Sequence, residues 1–424
     1  MKKWLRGAVS VLGILLIFIG LTRLVVPKYM DDVLEGAFIE EYYDEETNHD
    51  VIFLGDCEVY ENISPIKLWR EAGITSFIRG SAQQLVWQSY YLLEDTLKYE
   101  TPEVVVFNVQ ALMHDSPQRE AYNRMTIDGM RWSKAKWDCI QVSMTDKESA
   151  IDYVFPILRY HERITELTSQ DFQYYFQKRK VTHNGYYMRI DTVPFEEMLE
   201  EAEPENYTFG ELPMEYMEKI RKLCEEKDIR LVLMKAPSLS PVWYDEYEEQ
   251  VIAYAEEHDL LYINFLDLVE ELNIDYATDT YDGGLHMNLS GAEKISVYLA
   301  KVLQEECGLT DHRSDKELAE VWKEKEDFYD QMIEDQQKEL DTYGYLMNYG
   351  GSGEAREEYE EEDMDEESEG GDTEELMDED SDTEELIDED DDTEELMDED
   401  SDTEELSDDD GGRNFEEQFG FGMH

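Results

Sequence analysis

Two residues far apart in the chain have side chains that could act together as a nucleophile and its proton acceptor. Cys57 lies in the segment FLGDCEVYENISP, and His286 lies in the segment TDTYDGGLHMNLSGAEKIS. A nucleophile at a strand-to-helix turn points outward, an imidazole can take its proton, and a carboxylate can fix the tautomer of the ring. If the fold brings the two segments together, this combination predicts covalent chemistry on a carbonyl group.

The charges next to the thiol argue against that chemistry. Asp56 and Glu58 flank Cys57, and negative charge beside a thiol opposes formation of the thiolate. The same carboxylates would repel an oxyanion. The sequence therefore leaves three interpretations open: Cys57 is the nucleophile, Cys57 is a semi-buried residue in a site that has lost catalysis, or the carboxylates and His286 carry the chemistry.

Apolar runs of strand length alternate with helical patterns in the central part of the chain. The runs lie at 51–55, 74–78, 104–109, 229–234 and 260–265, and the helical patterns at 83–98, 214–227, 242–258 and 290–306. This alternation predicts an α/β fold, a three-layer structure with a parallel sheet flanked by helices. The stretch at about 116–213 is longer than a crossover needs, and we expect a mostly helical insertion that covers one end of the sheet.

The chemically capable residues lie at the ends of the predicted strands. Cys57, Gly80, Asn108 and Lys235 each end or follow a strand, and His286 precedes the last predicted helix. The carboxyl ends of parallel strands meet at one edge of the sheet, which is where open sheets place their sites. Lys235 is either the one cation of that site or a surface lysine paired with an acid.

The first of these segments resembles the opening block of the SGNH/GDSL hydrolase superfamily, a strand that ends in Gly-Asp-Ser. Here the block reads Gly55-Asp56-Cys57, with Cys57 where the family carries its nucleophilic serine. The resemblance implies that Gly80 provides a backbone N–H to the oxyanion hole and that Asn108 provides a side-chain amide. The backbone N–H of Cys57 would face the same developing charge.

The last segment resembles the closing block of the same superfamily, an acid and a base just before the final helix. His286, Asn288 and Gly291 match the family pattern HxNxxG. The resemblance implies that His286 is the catalytic base. The acid would be Asp282, four residues before His286, or Asp279.

Within that superfamily the chain looks similar to membrane-anchored envelope proteins, the teichoic-acid D-alanylation protein and the alginate O-acetyltransferase relatives. The resemblance implies an acyltransferase or esterase that acts on a cell-envelope glycopolymer. Its partners would be an envelope polysaccharide or teichoic-acid-like polymer and a membrane acyltransferase. The alternative is a catalytically silent SGNH-fold protein that binds envelope polymer or scaffolds a membrane acylation complex.

The first 30 residues have the composition of a membrane anchor. Lys2, Lys3 and Arg6 precede an apolar run at 8–26, and a helix of about 20 residues can cross the hydrocarbon core of a bilayer. The positive flank favours a cytoplasmic N-terminus, so that the bulk of the chain lies outside a bacterial plasma membrane. A cleaved signal peptide is the competing interpretation, but no small-x-small cleavage site follows the run.

The four cysteines and the acidic residues exclude several functions. Cys57, Cys139, Cys224 and Cys307 form no CxxC pair, which indicates neither a zinc site nor a dense disulfide framework, and we expect no metal and no cofactor. The formal charge of −70 over 424 residues repels nucleic acid.

About half of that charge lies near the C-terminus, where the ten-residue motif DTEELMDEDS and its variants repeat after residue 371. Such a repeat cannot bury enough apolar surface to fold. We therefore expect four parts: an anchor (1–30), an SGNH-like α/β domain (31–312), a C-terminal helix (313–349) and a disordered acidic tail (350–424).

Overall fold

A five-stranded parallel sheet lies at the centre of the molecule. The computed structural model describes residues 2–27, 37–176, 180, 182–196, 204 and 206–346. The strands are β1 (Val51–Gly55), β2 (Ser76–Gly80), β3 (Val104–Asn108), β4 (Arg230–Lys235) and β5 (Leu261–Asn264), and they follow the order β2-β1-β3-β4-β5. Since β2 and β3 lie on opposite sides of β1, the strand order reverses between β1 and β3.

Helices connect the strands and extend the fold at both ends of the chain. In chain order they are α1 (Lys2–Val25), α2 (Ala37–Glu41), α3 (Cys57–Tyr60), α4 (Pro65–Ala72), α5 (Val86–Thr96), α6 (Glu120–Ile127), α7 (Lys134–Ser143), α8 (Ala150–Val154), α9 (Ile157–Tyr160), α10 (Ser169–Phe176), α11 (Glu211–Glu226), α12 (Asp245–His258), α13 (Leu289–Glu305) and α14 (Lys316–Tyr343).

Alternate residues of each strand face opposite sides of the sheet, and both sides are covered. Val51 and Phe53 pack into the core formed with α4, α13 and α14, whereas Ile52 and Leu54 pack into the core formed with α5, α11 and α12. A strand buried on both faces has no polar side, which is why β1 is a continuous apolar run. The three-layer parallel α/β fold predicted from the sequence is confirmed.

In the region predicted as an insertion, the residues that the structure describes form five short helices, α6 to α10, followed by a strap at 182–196. The strap begins beside the free edge of β2, the outermost strand: the Asn184 carbonyl accepts the N–H of Ile78, and the N–H of Tyr187 donates to the Tyr60 carbonyl. Further along, the N–H of Val193 donates to the Thr280 carbonyl. The strap therefore connects β2, α3 and the loop before α13.

The N-terminal helix α1 differs from the others in its exposure. Over Trp4–Val25 it is long and apolar enough to cross a membrane, and almost none of this stretch is buried inside the protein. The predicted acidic tail at 350–424 lies outside the described residues, as does the connection at 28–36.

Helix α14 packs on the α4 and α13 side of the domain. Trp322 and Tyr329 are fully buried, and the Trp322 ring stacks on Trp69 of α4 with 4.9 Å between ring centroids. Near its other end, the Gln336 side-chain amide donates to the Met188 carbonyl of the strap at 2.8 Å. The helix therefore belongs to the folded domain.

We expect Trp322→Ala to lower the free energy of unfolding by about 3–5 kcal/mol, because it leaves a cavity beneath α14. Trp322→Phe should cost less, since the buried indole Nε1 has no hydrogen-bond partner among the described residues. The measurement is urea unfolding of the full chain in detergent, followed by circular dichroism. The control is Lys323→Ala, whose side chain is 62% exposed and which should change stability by less than about 0.5 kcal/mol. Equal losses at 322 and 323 would contradict the packing of α14.

Candidate active site

Cys57 is the first residue of α3 and follows β1 through a turn that requires glycine. Gly55 has a φ of +155°, and a Cβ at this position would overlap Val59 and lie 2.9 Å from the Cβ of Asn108. Asp56 caps the helix by accepting the N–H of Glu58 at 3.1 Å. The turn holds the half-buried Cys57 beside the ends of β1 and β3, where the strand order reverses.

A buried network of charges fixes the two carboxylates that flank Cys57. The side-chain amide of Asn108 donates to Asp56 Oδ1 at 3.1 Å and to Glu58 Oε2 at 3.0 Å. Lys235, fully buried at the end of β4, donates to Glu58 Oε1 at 2.9 Å and to the Ala236 carbonyl at 2.9 Å. The ends of β1, β3 and β4 are therefore joined through polar side chains.

The electrostatics of this network favour a protonated Asp56. Burial and the neighbouring Glu58 raise the pKa of Asp56 to about 7, although Asn108 and Lys235 act in the opposite direction. Protonation of Asp56 leaves the Glu58–Lys235 ion pair and no net charge, which is the arrangement that a low-dielectric interior favours.

His286 lies between two carboxylates from different parts of the chain. Its backbone N–H donates to Asp282 Oδ1 at 2.7 Å, and its ring Nδ1 lies 2.5 Å from Asp282 Oδ2 and 3.2 Å from Glu61 Oε2. These contacts favour a proton on Nδ1. The ring can then exchange a second proton through Nε2.

Three side chains hold the His286 loop against the turn after β1. The Tyr281 hydroxyl donates to Glu61, and the Tyr281 ring lies nearly parallel to the imidazole of His286, with 21° between the planes. Asn62 accepts the backbone N–H of Met287 at 2.7 Å. The loop is therefore positioned by Glu61 and Asn62, which come directly after α3, and by its own tyrosine.

The charges of the site set the protonation of the thiol and the ring. Burial alone would lower the pKa of His286, but Glu61, Asp282 and Cys57 raise it well above its usual value. Burial raises the pKa of Cys57 to about 11; His286 acts to lower it, and Asp56 and Glu61 act to raise it. At neutral pH a protonated imidazole therefore lies beside a neutral thiol.

Of the residues predicted for the site, the structure brings Cys57, His286 and Asp282 together. Asp279 lies apart from them: it forms an ion pair with Lys294 at 2.5 Å, which lowers the pKa of Asp279 even though burial acts to raise it. Asp282 is therefore the acid partner of His286. The catalytic roles of these three residues stay predictions.

Two other predicted residues, Asn288 and Gly80, have structural roles. Asn288 caps α13 by accepting the N–H groups of Ser290 and Gly291. Gly80 lies opposite Gly55 at the end of β2, and a Cβ on it would come within 3.0 Å of the Gly55 carbonyl oxygen. The ends of β1 and β2 thus leave little room for a side chain at residue 80.

Two expectations from the sequence need correction. The amide of Asn108 was expected to face an oxyanion, but it donates to the carboxylates of Asp56 and Glu58. Lys235 is not a surface lysine: it lies at the site, fully buried, and the acid with which it pairs is Glu58. Two carboxyl groups buried side by side require the Asn108 amide and the Lys235 ammonium group as partners. Neither donor is therefore available to a substrate.

Sequence reasoning missed Glu61, the second carboxylate at His286. Its spacing was a usable signal, because residues four apart on a helix lie on the same face, and Glu61 follows Cys57 by four. Tyr281 and Asn62 were also missed. Nothing in their local sequence indicates that they meet across the site.

Glu61, Asp282 and His286 could also hold a cation. One ligand atom from each lies within 4.8 Å of the others, and all three residues are buried. A metal ion there would compete with the proton on Nδ1 of His286, which already bridges the two carboxylates.

Comparisons with known proteins give only distant likenesses. No protein-family model matches the chain, and no curated protein matches it. Among solved structures, a protein described as a lipolytic protein of the G-D-S-L family from Desulfitobacterium hafniense is 14% identical, with a TM-score of 0.31, covering 60% of this chain and 100% of that one. A GDSL-like lipase from Bacteroides thetaiotaomicron is 10% identical, with a TM-score of 0.29, covering 60% and 88%. A protein described as an acylhydrolase from Bacteroides fragilis is 11% identical, with a TM-score of 0.30, covering 62% and 90%.

Asp56→Asn should gain stability relative to the parent chain as the pH rises from about 4 to about 7. In this range unfolded Asp56 has already lost its proton, whereas folded Asp56, with a pKa of about 7, still holds one, so unfolding releases a proton and becomes more favourable as the pH rises. The parent therefore loses stability relative to the variant, by at most about 1.4 kcal/mol per pH unit. Asparagine keeps the capping oxygen.

The measurement is urea unfolding of both chains in detergent at several pH values across this range. Asp146→Asn, a change at an exposed position, is the matched control and should change stability by less than about 0.5 kcal/mol at each pH. A pH-independent difference for Asp56→Asn would contradict a raised pKa at this carboxyl.

Proposed function

We propose that the chain is an SGNH-type ester hydrolase or O-acyltransferase that acts on a cell-envelope glycopolymer, with Cys57 as the residue that carries the acyl group. The observation that supports the proposal is the meeting of the Cys57 thiol with the Asp282–His286 pair at the carboxyl edge of the sheet. The thiol and the ring are close enough to shift each other's pKa. A nucleophile, a base and an orienting carboxylate are the minimum for covalent acyl transfer.

In the proposed reaction the Cys57 thiolate attacks the carbonyl carbon of an ester. The C–S bond forms, the C–O bond breaks, and the protonated His286 gives its proton to the departing alkoxide. Water or a hydroxyl group of the polymer then attacks the thioester while His286 takes its proton, and the Cys57 thiolate is released. Water as acceptor gives hydrolysis, and a polymer hydroxyl gives acyl transfer.

The proposed location is the outer side of a bacterial plasma membrane. Helix α1 supports it, since this helix is long and apolar enough to span a bilayer and positive residues near its start favour a cytoplasmic N-terminus. The domain would then meet an envelope polysaccharide or teichoic-acid-like polymer. A membrane acyltransferase is the partner that could supply an activated acyl group.

A second candidate is a catalytically silent protein that binds envelope polymer or scaffolds a membrane acylation complex. The observation that favours it is the engagement of Asn108 with Asp56 and Glu58, which removes one donor from the expected oxyanion hole. The raised pKa of the Cys57 thiol, about 11, favours it as well, because little thiolate forms at neutral pH.

Cys57→Ala and His286→Ala should each lower the turnover of acetyl or D-alanyl esters by about 10²-fold or more. Cys57→Ala should also remove labelling by an activity-based thiol probe. The assay uses the purified full chain in detergent at mildly alkaline pH. Cys307→Ala is the matched control, because this free, half-buried thiol lies beyond the end of α13, and it should keep both turnover and labelling at Cys57.

Absence of turnover and of Cys57 labelling in the parent chain would contradict the enzyme proposal. The silent candidate then makes its own prediction, that Cys57→Ser leaves polymer binding unchanged. Loss of polymer binding in that variant would contradict the silent candidate.

Glu61→Gln should move the pH–rate profile toward lower pH. At neutral pH the Cys57–His286 pair consists of a neutral thiol and a protonated ring, and catalysis requires the pair to lose one of these two protons. The rate should therefore rise as the pH increases. Glu61 raises the pKa of both His286 and Cys57, so removing its charge lets that proton leave at lower pH. The measurement is kcat/KM between about pH 6 and pH 10. Glu257→Gln, a change at an exposed position in the last turn of α12, is the control, and an unmoved profile in Glu61→Gln would contradict the role given to Glu61.

A further inference from the structure

The membrane-span candidate α1 does not project freely from the domain. Part of the helical insertion, residues 150–176, packs along its C-terminal half. The Phe155 ring meets the Phe18 ring edge-on at 6.1 Å between centroids, and the Arg23 guanidinium lies 5.9 Å from the centroid of the Tyr175 ring. Arg163 donates to the Val25 carbonyl at 2.7 Å. We call residues 150–176 the anchor-side segment.

The anchor-side segment exposes large apolar side chains while it buries one ion pair. Arg163 and Asp171 form a buried ion pair at 3.1 Å. The exposed apolar side chains and their exposed fractions are Ile151 (53%), Phe155 (42%), Leu158 (49%), Ile164 (57%), Phe172 (50%) and Phe176 (85%). A soluble surface rarely carries so many large apolar side chains within one short segment.

The contact with α1 places this segment at a definite depth. Phe18 precedes Val25 by seven residues, which is about 10 Å along a helix at about 1.5 Å per residue. A bilayer core of about 30 Å requires nearly the whole of α1 to span it. Phe155, beside Phe18, then lies below the surface of the hydrocarbon region and cannot lie in water.

We infer that the anchor-side segment is embedded in the outer leaflet of the membrane, where its exposed apolar side chains contact lipid acyl chains. This inference rests on the membrane anchoring in the proposed function, and it adds that the domain itself enters the bilayer. The occupant of the surface is lipid, because the surface is continuous with the lipid-facing side of α1. Short amphipathic helices commonly enter an interface by about 5–10 Å, which matches the depth of Phe155.

The polar residues of the segment fit the same placement. Arg159, Glu162 and Glu166 are exposed among the apolar side chains, as expected for a segment that lies in the interface and does not cross the membrane. Tyr175, an aromatic residue with a polar tip, contacts the last turns of α1, where interfacial tyrosines are common.

The test is photolabelling of the full chain in vesicles of phosphatidylcholine and phosphatidylglycerol with a membrane-partitioning diazirine, while a water-soluble thiol scavenges reagent outside the bilayer. Labelled positions are mapped by mass spectrometry. Labelling of residues 150–176 should come within about threefold of that of α1. The control is exposed apolar residues on other faces, Ile252 of α12 and Val297 of α13, each 41% exposed, which should stay unlabelled.

A paired variant sharpens the test. Ile164→Lys combined with Phe172→Lys changes two exposed positions and should reduce labelling of 150–176 severalfold without changing that of α1. Labelling confined to α1 in the parent chain overturns the inference and leaves the anchor intact. No labelling of α1 overturns the anchor and this inference with it, while the ester assay tests the chemistry separately.

Discussion

One side-chain amide, that of Asn108, stabilises the turn that carries Cys57. Asn108 ends β3 and donates to Asp56 and Glu58, the residues on either side of Cys57 in the sequence. Without that amide, the buried carboxyl groups of Asp56 and Glu58 would each lose one hydrogen bond while still facing each other across the turn after β1. Lys235 completes the compensation from β4. The turn that carries the thiol therefore depends on charge balance inside the protein, and the Asn108 amide, which was expected to donate to an oxyanion, stabilises this turn.

The fold could be predicted from the sequence to a large extent because its strands are buried on both faces. The run at 51–55 coincides with β1, while the predicted start of β2 at residue 74 lies two residues before Ser76. Ile74 is buried and apolar like the strand itself, so hydrophobicity alone cannot mark where the hydrogen-bonded ladder begins. The sequence did not predict the individual helices α6 to α10 or the strap after them. Their positions depend on contacts with α1, β2 and the loop before α13, and not on a local hydrophobic period.

The site residues that adjoin the ends of strands could be predicted from the sequence. The residues that join the site through contacts between distant loops could not. Cys57 and His286 could be paired because both adjoin elements whose ends meet at one edge of a parallel sheet. Spacing alone could not choose between Asp282 and Asp279 as the partner of His286. In the structure Asp279 forms an ion pair with Lys294, which leaves Asp282. Glu61 enters the site only because the Tyr281 hydroxyl and the Asn62 amide bring the two loops into contact. Such contacts between loops leave no periodic trace in a sequence.

The burial of the cysteines has a consequence for chemical durability. Cys57, Cys139, Cys224 and Cys307 are all free, and in each the pKa of the thiol is raised, chiefly by burial. Oxidation and disulfide exchange proceed through the thiolate, so a raised pKa slows both at every one of these positions. The burial that raises the pKa values of these four thiols thus also protects them from oxidation and disulfide exchange, and Cys57 shares this protection with the three cysteines outside the site.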